Sequence, residues 1–327
     1  MTHKIFGSEL SPFSVKTRSY FRYKGIPHVW TPRTPDNAEE FQKFAKLPLV
    51  PLVVTPEETG IQDSTPIIDE METRFPEPSI HPTDPVTRFI SVLLEEFGDE
   101  WGNKWMFHMR WARQADQLSA AGRIVGYNED DAAKQEMVDQ ILERMTNRVW
   151  FVGSNEATAP IIEASLRDMV ALLDNHLADR PYLFGEKPSY ADFGLWGQIY
   201  NAWTDPTAGS LLNHSQNVLG WVHHMLWPSD LGEFEPWQDL EAGLAPILTT
   251  QVGDMFLPWS AANSIAIANE DEEFTVDLAG NTWTQKPQKY HARSLGVLRA
   301  RYQEVSDNTE LNDILSSCHC LDVLSSE

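Results

Sequence analysis

The stretch His3–Trp30, "HKIFGSELSPFSVKTRSYFRYKGIPHVW", decides how the chain begins to fold. "HKIFG" is a short apolar run and reads as a strand. Ser11, Pro12, Phe13 and Ser14 then hand the chain to a helix, read from Val15 to Lys24 and closed by Gly25. "PHVWTP" follows as a second strand. Proline near a helix start and glycine just past its end is the order helices favour. Ser11 is placed as an N-cap, where a serine oxygen accepts an N–H that the helix leaves unpaired. The same position also presents a hydroxyl at the end of a strand. Ser14, one turn later, is a competing hydroxyl and reads as a first-turn helix residue.

Working outward, "AEEFQKFAK" (38–46) is a short helix and the β-branched run "VPLVV" (50–54) a strand. "GIQDSTPIIDEMETRF" (60–75) holds a turn and then a helix. Strands alternating with helices predict an α/β layer with helices packed on a small sheet. From about Val86 the apolar residues switch to helical spacing, as in "TRFISVLLEEFGDEWGNKWMFHMRWARQAD" and "PIIEASLRDMVALLDNHLAD". The proline-rich "RFPEPSIHPTDPV" (74–86) lies between the two textures as a linker. Near residue 251 the pattern changes again. "EEFTVDLAGNTWTQKP" (272–287) predicts a hairpin about "AGN", and "YHARSLGVLRARYQEV" (290–305) a helix. The expected organisation is an α/β unit over 1–78, an all-helical unit over 86–250, and an extension over 251–327 that packs on the body.

Composition narrows the function classes. The chain has 327 residues, 42% hydrophobic and with twelve tryptophans, enough for more than one ordinary core. Its net charge of −23 makes it a poor partner for nucleic acid, whose binding relies on neutralising phosphates. The charge is uneven. Residues 1–80 carry nine Lys/Arg against eleven Asp/Glu, so nearly all of the excess lies beyond them. The first segment is therefore the part best able to accept a small anion. No apolar run reaches the roughly 20 residues needed to span a bilayer, and the N-terminus lacks a signal-peptide pattern. Cys318 and Cys320 are the only cysteines, which excludes a disulfide scaffold and suits a cytoplasmic location. "CHC" at 318–320 makes a poor metal site, and no metal is expected.

Taken together, these motifs resemble the cytosolic glutathione transferases of serine type: "SPFSVKTRSYFRYKGI", a "VP" before a strand, "DSTPIIDEM", then an all-helical region. The resemblance covers about residues 3–245 and leaves out the tail. It implies a thioredoxin-like N-terminal domain and an all-α helical-bundle C-terminal domain. It also implies glutathione as co-substrate, a small hydrophobic electrophile as second substrate, a homodimer and a detoxifying transferase activity. Sixteen residues run from Ser11 to Ile26, the spacing of "SPF…KGI" in that family. Carried over, the Ser11 hydroxyl donates to the glutathione sulfur. A free thiol has a pKa of about 8.5, and a hydroxyl donor with the positive end of a helix favours the thiolate. Ser11 need not be a nucleophile. Without a cysteine at position 11, exchange chemistry that needs a protein thiolate is disfavoured.

The resemblance assigns further glutathione contacts to Phe13, Val50, Pro51, Asp63 and Ser64. In the family the peptide before the proline is cis, turning the backbone of Val50 towards the cysteinyl part. The Ser64 hydroxyl and N–H receive the γ-glutamyl carboxylate, and Asp63 meets the ammonium. A helix N-terminus gives that carboxylate site a mechanism, although Asp63 and Ser64 are also ordinary caps. Leu49 stands where many members have Lys or Gln, with Lys43 and Lys46 nearby. "PSYADFGLW" (188–196) matches a capping box through Ser189 and Asp192 and is assigned to folding. Trp101, Trp105, His108 and Trp111 crowd one helix and are candidates for the second-substrate cleft, against plain helix packing. Arg110 and Arg113 read as solvated. "FLPWSAAN" (256–263) has the apolar and small residues to line a cleft under a folded-over tail. A rival reading from another class is a non-catalytic binding or scaffold protein that kept the fold.

Overall fold

The structure is a computed structural model describing residues 2–126 and 130–326. β1 (His3–Gly7) passes through Ser11 into α1 (Pro12–Tyr23), and β2 (His28–Pro32) returns parallel to β1. α2 (Ala38–Phe44), β3 (Leu52–Val54), β4 (Gly60–Gln62) and α3 (Ser64–Arg74) follow. The sheet order is β2-β1-β3-β4, with β3 antiparallel to both β1 and β4. The sequence predicts only a turn where β4 lies. With three residues, β4 is too short to show alternation, and pairing with β3 creates it.

Alternation across the strands places two layers of side chains. Ile5 and Val53 join Val15, Phe21, Ile67 and Ile68 in the main core. Phe6, Leu52 and Val54 point the other way, against Phe41 of α2. This is a thioredoxin-like layer with helices on both faces of a mixed sheet.

The helical part runs through α4 (Pro85–Phe97), a π turn (Gly98–Gly102), α5 (Asn103–Trp111), α6 (Gln114–Val125) and α7 (Asp131–Thr146). It continues with α8 (Ala159–His176), α9 (Tyr190–Trp203), α10 (Pro206–Leu212), α11 (Gln216–His224) and α12 (Trp237–Ile247). α9 starts at the expected capping box: Ser189 N donates to Asp192 Oδ2 at 2.8 Å, and Asp192 N to Ser189 Oγ at 3.4 Å. Asp192 also accepts the Trp221 indole N–H at 2.8 Å and Leu183 N at 2.9 Å. Burial nevertheless pushes its carboxyl up to about 6, against the pull of those bonds.

α12 continues without a break through a π segment (Leu248–Phe256) into α13 (Leu257–Asn269). Residue 250, where the extension is expected to start, lies inside this helix. The hairpin appears as expected: β5 (Phe274–Leu278) pairs with β6 (Asn281–Gln285). Ala279 and Gly280, both at positive φ, make its two-residue turn. α14 (Lys289–Gln303), α15 (Thr309–Ser317) and α16 (Leu321–Ser325) close the chain. Residues of "FLPWSAAN" are mostly interior: Phe256, Leu257, Trp259, Ser260 and Asn263 are buried.

One buried cation joins the extension to the body. The Lys104 ammonium lies 3.6 Å from the ring centre of Trp259 and 5.4 Å from those of Trp101 and Trp283. It donates to the Val152 carbonyl at 3.3 Å. Desolvation holds its pKa well below the ordinary lysine range. Cys318 and Cys320 are buried free thiols, and no cluster of three or more potential metal ligands occurs among the described residues. Among the described residues no helix is long and apolar enough to cross a membrane.

α9 meets the start of α1 through Gly197, where a β-carbon would lie 2.7 Å from the Pro12 carbonyl oxygen. Gly197→Ala is expected to destabilise the protein by about 1–3 kcal/mol through overpacking. Gly220, in α11 with nothing within 4 Å, is the control: Gly220→Ala should stabilise by about 0.5–1 kcal/mol. Urea unfolding of both variants checks the contrast.

Candidate functional site

Strand register gathers the candidate residues at one edge of the sheet. Phe6, near the end of β1, pairs with Leu52 at the start of β3, and Leu52 pairs with Gln62 at the end of β4. The loop carrying Ser11, the Val50–Pro51 pair and Asp63–Ser64 therefore leave the sheet side by side. α1 and α3 begin there too, so two positive helix ends face the same region.

Ser11 is the N-cap of α1, its Oγ accepting the Ser14 N–H at 3.2 Å. That bond uses an oxygen lone pair and leaves the O–H free to donate. Capping and presentation are thus compatible. Ser14 is fully buried and does not face outward. Phe13 is partly buried beside Ser11. The loop is held from the helical part, because Arg110 Nη1 donates to the Leu10 carbonyl at 2.7 Å. The same guanidinium donates to Asp205 Oδ2 at 2.7 Å and to Asn201 Oδ1 at 2.9 Å. Arg110 is therefore interior rather than solvated. It lies within helix α5, where a lone arginine carries no sequence signal of a buried partner.

The Val50–Pro51 peptide is cis. The loop before it is clamped by Gln62, whose Nε2 donates to the Leu47 and Leu49 carbonyls at 2.8 and 2.9 Å. Gln62 Oε1 accepts from Lys46 N at 2.6 Å and Leu47 N at 3.0 Å. Sequence reasoning missed Gln62, although it directly precedes Asp63–Ser64. Leu49 is exposed, as are Lys43 and Lys46.

Asp63 precedes α3 at φ 78° and ψ 136°, a region that side chains avoid. Its carboxylate makes no capping hydrogen bond, so it leaves the first N–H groups of α3 to other partners. Ser64 is fully buried, and its hydroxyl has no hydrogen-bond partner among the described residues. A strained backbone, an uncapped helix end and an orphaned hydroxyl thus meet at this corner.

Beneath this corner the Lys16 ammonium is buried, 2.5 Å from Glu95 Oε1 and 2.6 Å from Asp99 Oδ2. Thr65 Oγ1 donates to Glu95 Oε1 at 3.0 Å. Burial alone would lower the Lys16 pKa, but Asp99 and Glu95 more than reverse this and raise it. Further along, Glu96 accepts from Ser294 Oγ, and Glu100 meets His291 Nδ1.

The aromatic candidates are placed elsewhere. Trp101 and Trp105 are buried, both donating to Ser165 Oγ at 2.9 Å, and Ser165 donates to Gln251 at 2.7 Å. His108 is buried between Ser154 Oγ at 2.8 Å and Glu163 Oε1 at 3.2 Å. Trp111 is buried with its ring against Phe107. α8 and the extension cover Trp101, Trp105 and His108, and Trp111 is buried beside Phe107 of its own helix. Arg113 pairs with Glu163.

Residues 5–79 match the glutathione S-transferase N-terminal domain, and residues 131–224 the glutathione S-transferase C-terminal domain. The chain belongs to the glutathione S-transferase superfamily. No curated protein matches this member at a significant level. Similar solved structures include the beta-etherase LigF from Sphingobium sp. strain SYK-6, at 19% identity and a TM-score of 0.49, covering 69% of this chain and 95% of that one. A Tau class glutathione S-transferase from mango, Mangifera indica, is 17% identical with a TM-score of 0.41, covering 73% and 96%. A glutathione S-transferase from Methylobacillus flagellatus, solved with glutathione bound, is 17% identical with a TM-score of 0.43, covering 68% and 94%. Neither domain match reaches the residues after 224.

Two expectations follow for this transferase-family chain. Arg110→Met leaves Asp205, a fully buried carboxylate, with Arg123 as its one ion-pair partner among the described residues. Removing one partner of such a pair should cost about 3–5 kcal/mol, measurable by urea unfolding. Burial first pushes Glu96 and Glu100 up to about 8 from an ordinary 4.5; neighbouring carboxylates add to the rise, and Lys104 opposes it at Glu100. The folded state thus binds more protons than the unfolded state between about pH 4.5 and 8, so stability falls as pH rises through that window. Thermal unfolding from about pH 6.5 to 8.5, above the range where the neutral buried His81 and His291 act in the opposite sense, should show this decline, and Glu96→Gln should flatten it.

Proposed function

We propose that the protein is a glutathione transferase in which Ser11 stabilises the glutathione thiolate. The observation that carries this is Ser11 itself: its oxygen caps α1 while its proton stays free, at the sheet edge shared with Val50, Pro51, Asp63 and Ser64. The γ-glutamyl carboxylate is received by the Ser64 hydroxyl and the start of α3, and the cysteinyl part lies along Val50. The Ser11 O–H donates to sulfur and lowers the thiol pKa, and the thiol proton leaves to solvent. The thiolate then forms a sulfur–carbon bond to a small electrophile, which either loses a leaving group or takes up the electron pair. The bound glutathione in the Methylobacillus flagellatus relative supports the choice of co-substrate. A homodimer, a cytoplasmic location and a detoxifying role belong to the same reading and rest on the family resemblance.

Ser11→Ala should leave the fold intact, at a cost of about 1 kcal/mol for the lost cap. It should lower the conjugation rate at neutral pH about tenfold for each unit by which the bound thiol pKa rises. Steady-state kinetics with a chromogenic electrophile, alongside thermal unfolding, checks both. Full activity in the variant would sink the role given to Ser11. Retention on immobilised glutathione without turnover of any electrophile would favour the scaffold reading.

A further inference from the structure

The extension reaches the corner where glutathione is proposed to bind. Tyr290, in the first turn of α14, places its phenol oxygen 3.5 Å from Asp63 Oδ2. The same helix is fixed at three places beyond that point. His291 meets Glu100 and Ser294 meets Glu96, while Arg301 Nη2 donates to Asp69 Oδ2 at 2.7 Å. Residues 290, 294 and 301 fall on one helical face. α14 therefore bridges α3 of the glutathione half and the α4–π-turn segment of the helical half.

Tyr290 is not core filling, since 48% of it is exposed. Its neighbours are acidic: Glu100, Asp63, Asp99 and Glu96 all act on the phenol. Just past Asp63 is the buried Ser64 hydroxyl that lacks a partner among the described residues. An α-amino acid group has two ends, and the two sides of this corner differ in the same way. The start of α3 suits a carboxylate. The acidic side repels one and suits an ammonium, which needs several acceptors. Asp63 supplies one acceptor, and the phenol oxygen beside it supplies another.

We infer that Tyr290 of the C-terminal extension is a specificity-determining residue, sharing with Asp63 the γ-glutamyl ammonium of glutathione. This rests on the proposed glutathione site. It makes the extension a wall of that site and explains why an exposed tyrosine faces an exposed aspartate across the domain boundary.

The test is calorimetric binding to the full chain of two ligands: glutathione, and an analogue with hydrogen in place of the γ-glutamyl amino group. Tyr290→Phe removes only the hydroxyl. It should weaken glutathione binding about three- to tenfold, the usual worth of one hydrogen bond, and leave analogue binding unchanged. Tyr290→Ala should behave in the same sense. Equal binding of glutathione by variant and unaltered protein would overturn the inference, as would equal weakening for both ligands, which would mark a merely structural role. If the unaltered protein binds no glutathione, the parent reading fails and this one with it. Glutathione binding insensitive to Tyr290 overturns this inference alone.

Discussion

A single buried ammonium, that of Lys16, ties the two halves of the molecule together. It sits on the buried face of α1, little more than one turn past the Ser11 cap, and its partners Glu95 and Asp99 belong to α4 and the π turn. Thr65 adds the start of α3 to the same cluster. Charges this deep are tolerated only when paired; Asp99 Oδ1 has no partner among the described residues, and burial raises that carboxyl well above its ordinary range. The spacing between the sheet unit and the helices is therefore set to within the length of a hydrogen bond. Asp63, Ser64 and the Ser11 loop all hang from elements that this cluster fixes.

The helical half acts on the sheet edge at a second place. Arg110 reaches across to the Leu10 carbonyl, and Gly197 lets α9 lie against the Pro12 carbonyl. The turn that carries Ser11 is thus gripped from outside its own unit. A hydroxyl that must donate to a thiolate needs a fixed position more than it needs an unusual chemistry. The cap bond to Ser14 N supplies the remaining constraint.

Much of this was legible from sequence because it depends on local rules. The β1–α1–β2 order follows from apolar runs and helix punctuation, and the hairpin from "AGN". The Ser189–Asp192 box follows from its spacing together with the family resemblance. What stayed hidden depends on partners distant in sequence. β4 exists only through pairing with β3. Gln62 clamps a loop 13 to 16 residues away, and Arg110 bonds a carbonyl 100 residues away. Trp101, Trp105, His108 and Trp111 look like cleft residues because one helix carries too many large rings for one face. The extension and α8 provide the missing cover for Trp101, Trp105 and His108, and no periodicity reveals that.

The tryptophan enclosure of Lys104 draws two of its three rings, Trp259 and Trp283, from beyond residue 250, and one, Trp101, from the helical part. The helix that delivers Trp259 begins as α12 and has no joint at which to part. A chain ending near residue 250 would lose Trp259 and Trp283 and leave the Lys104 amine and the Trp101 ring open to water. Without the tail Lys104 would regain water and its ordinary lysine range, so the character of this one amine is set by residues far further along the chain.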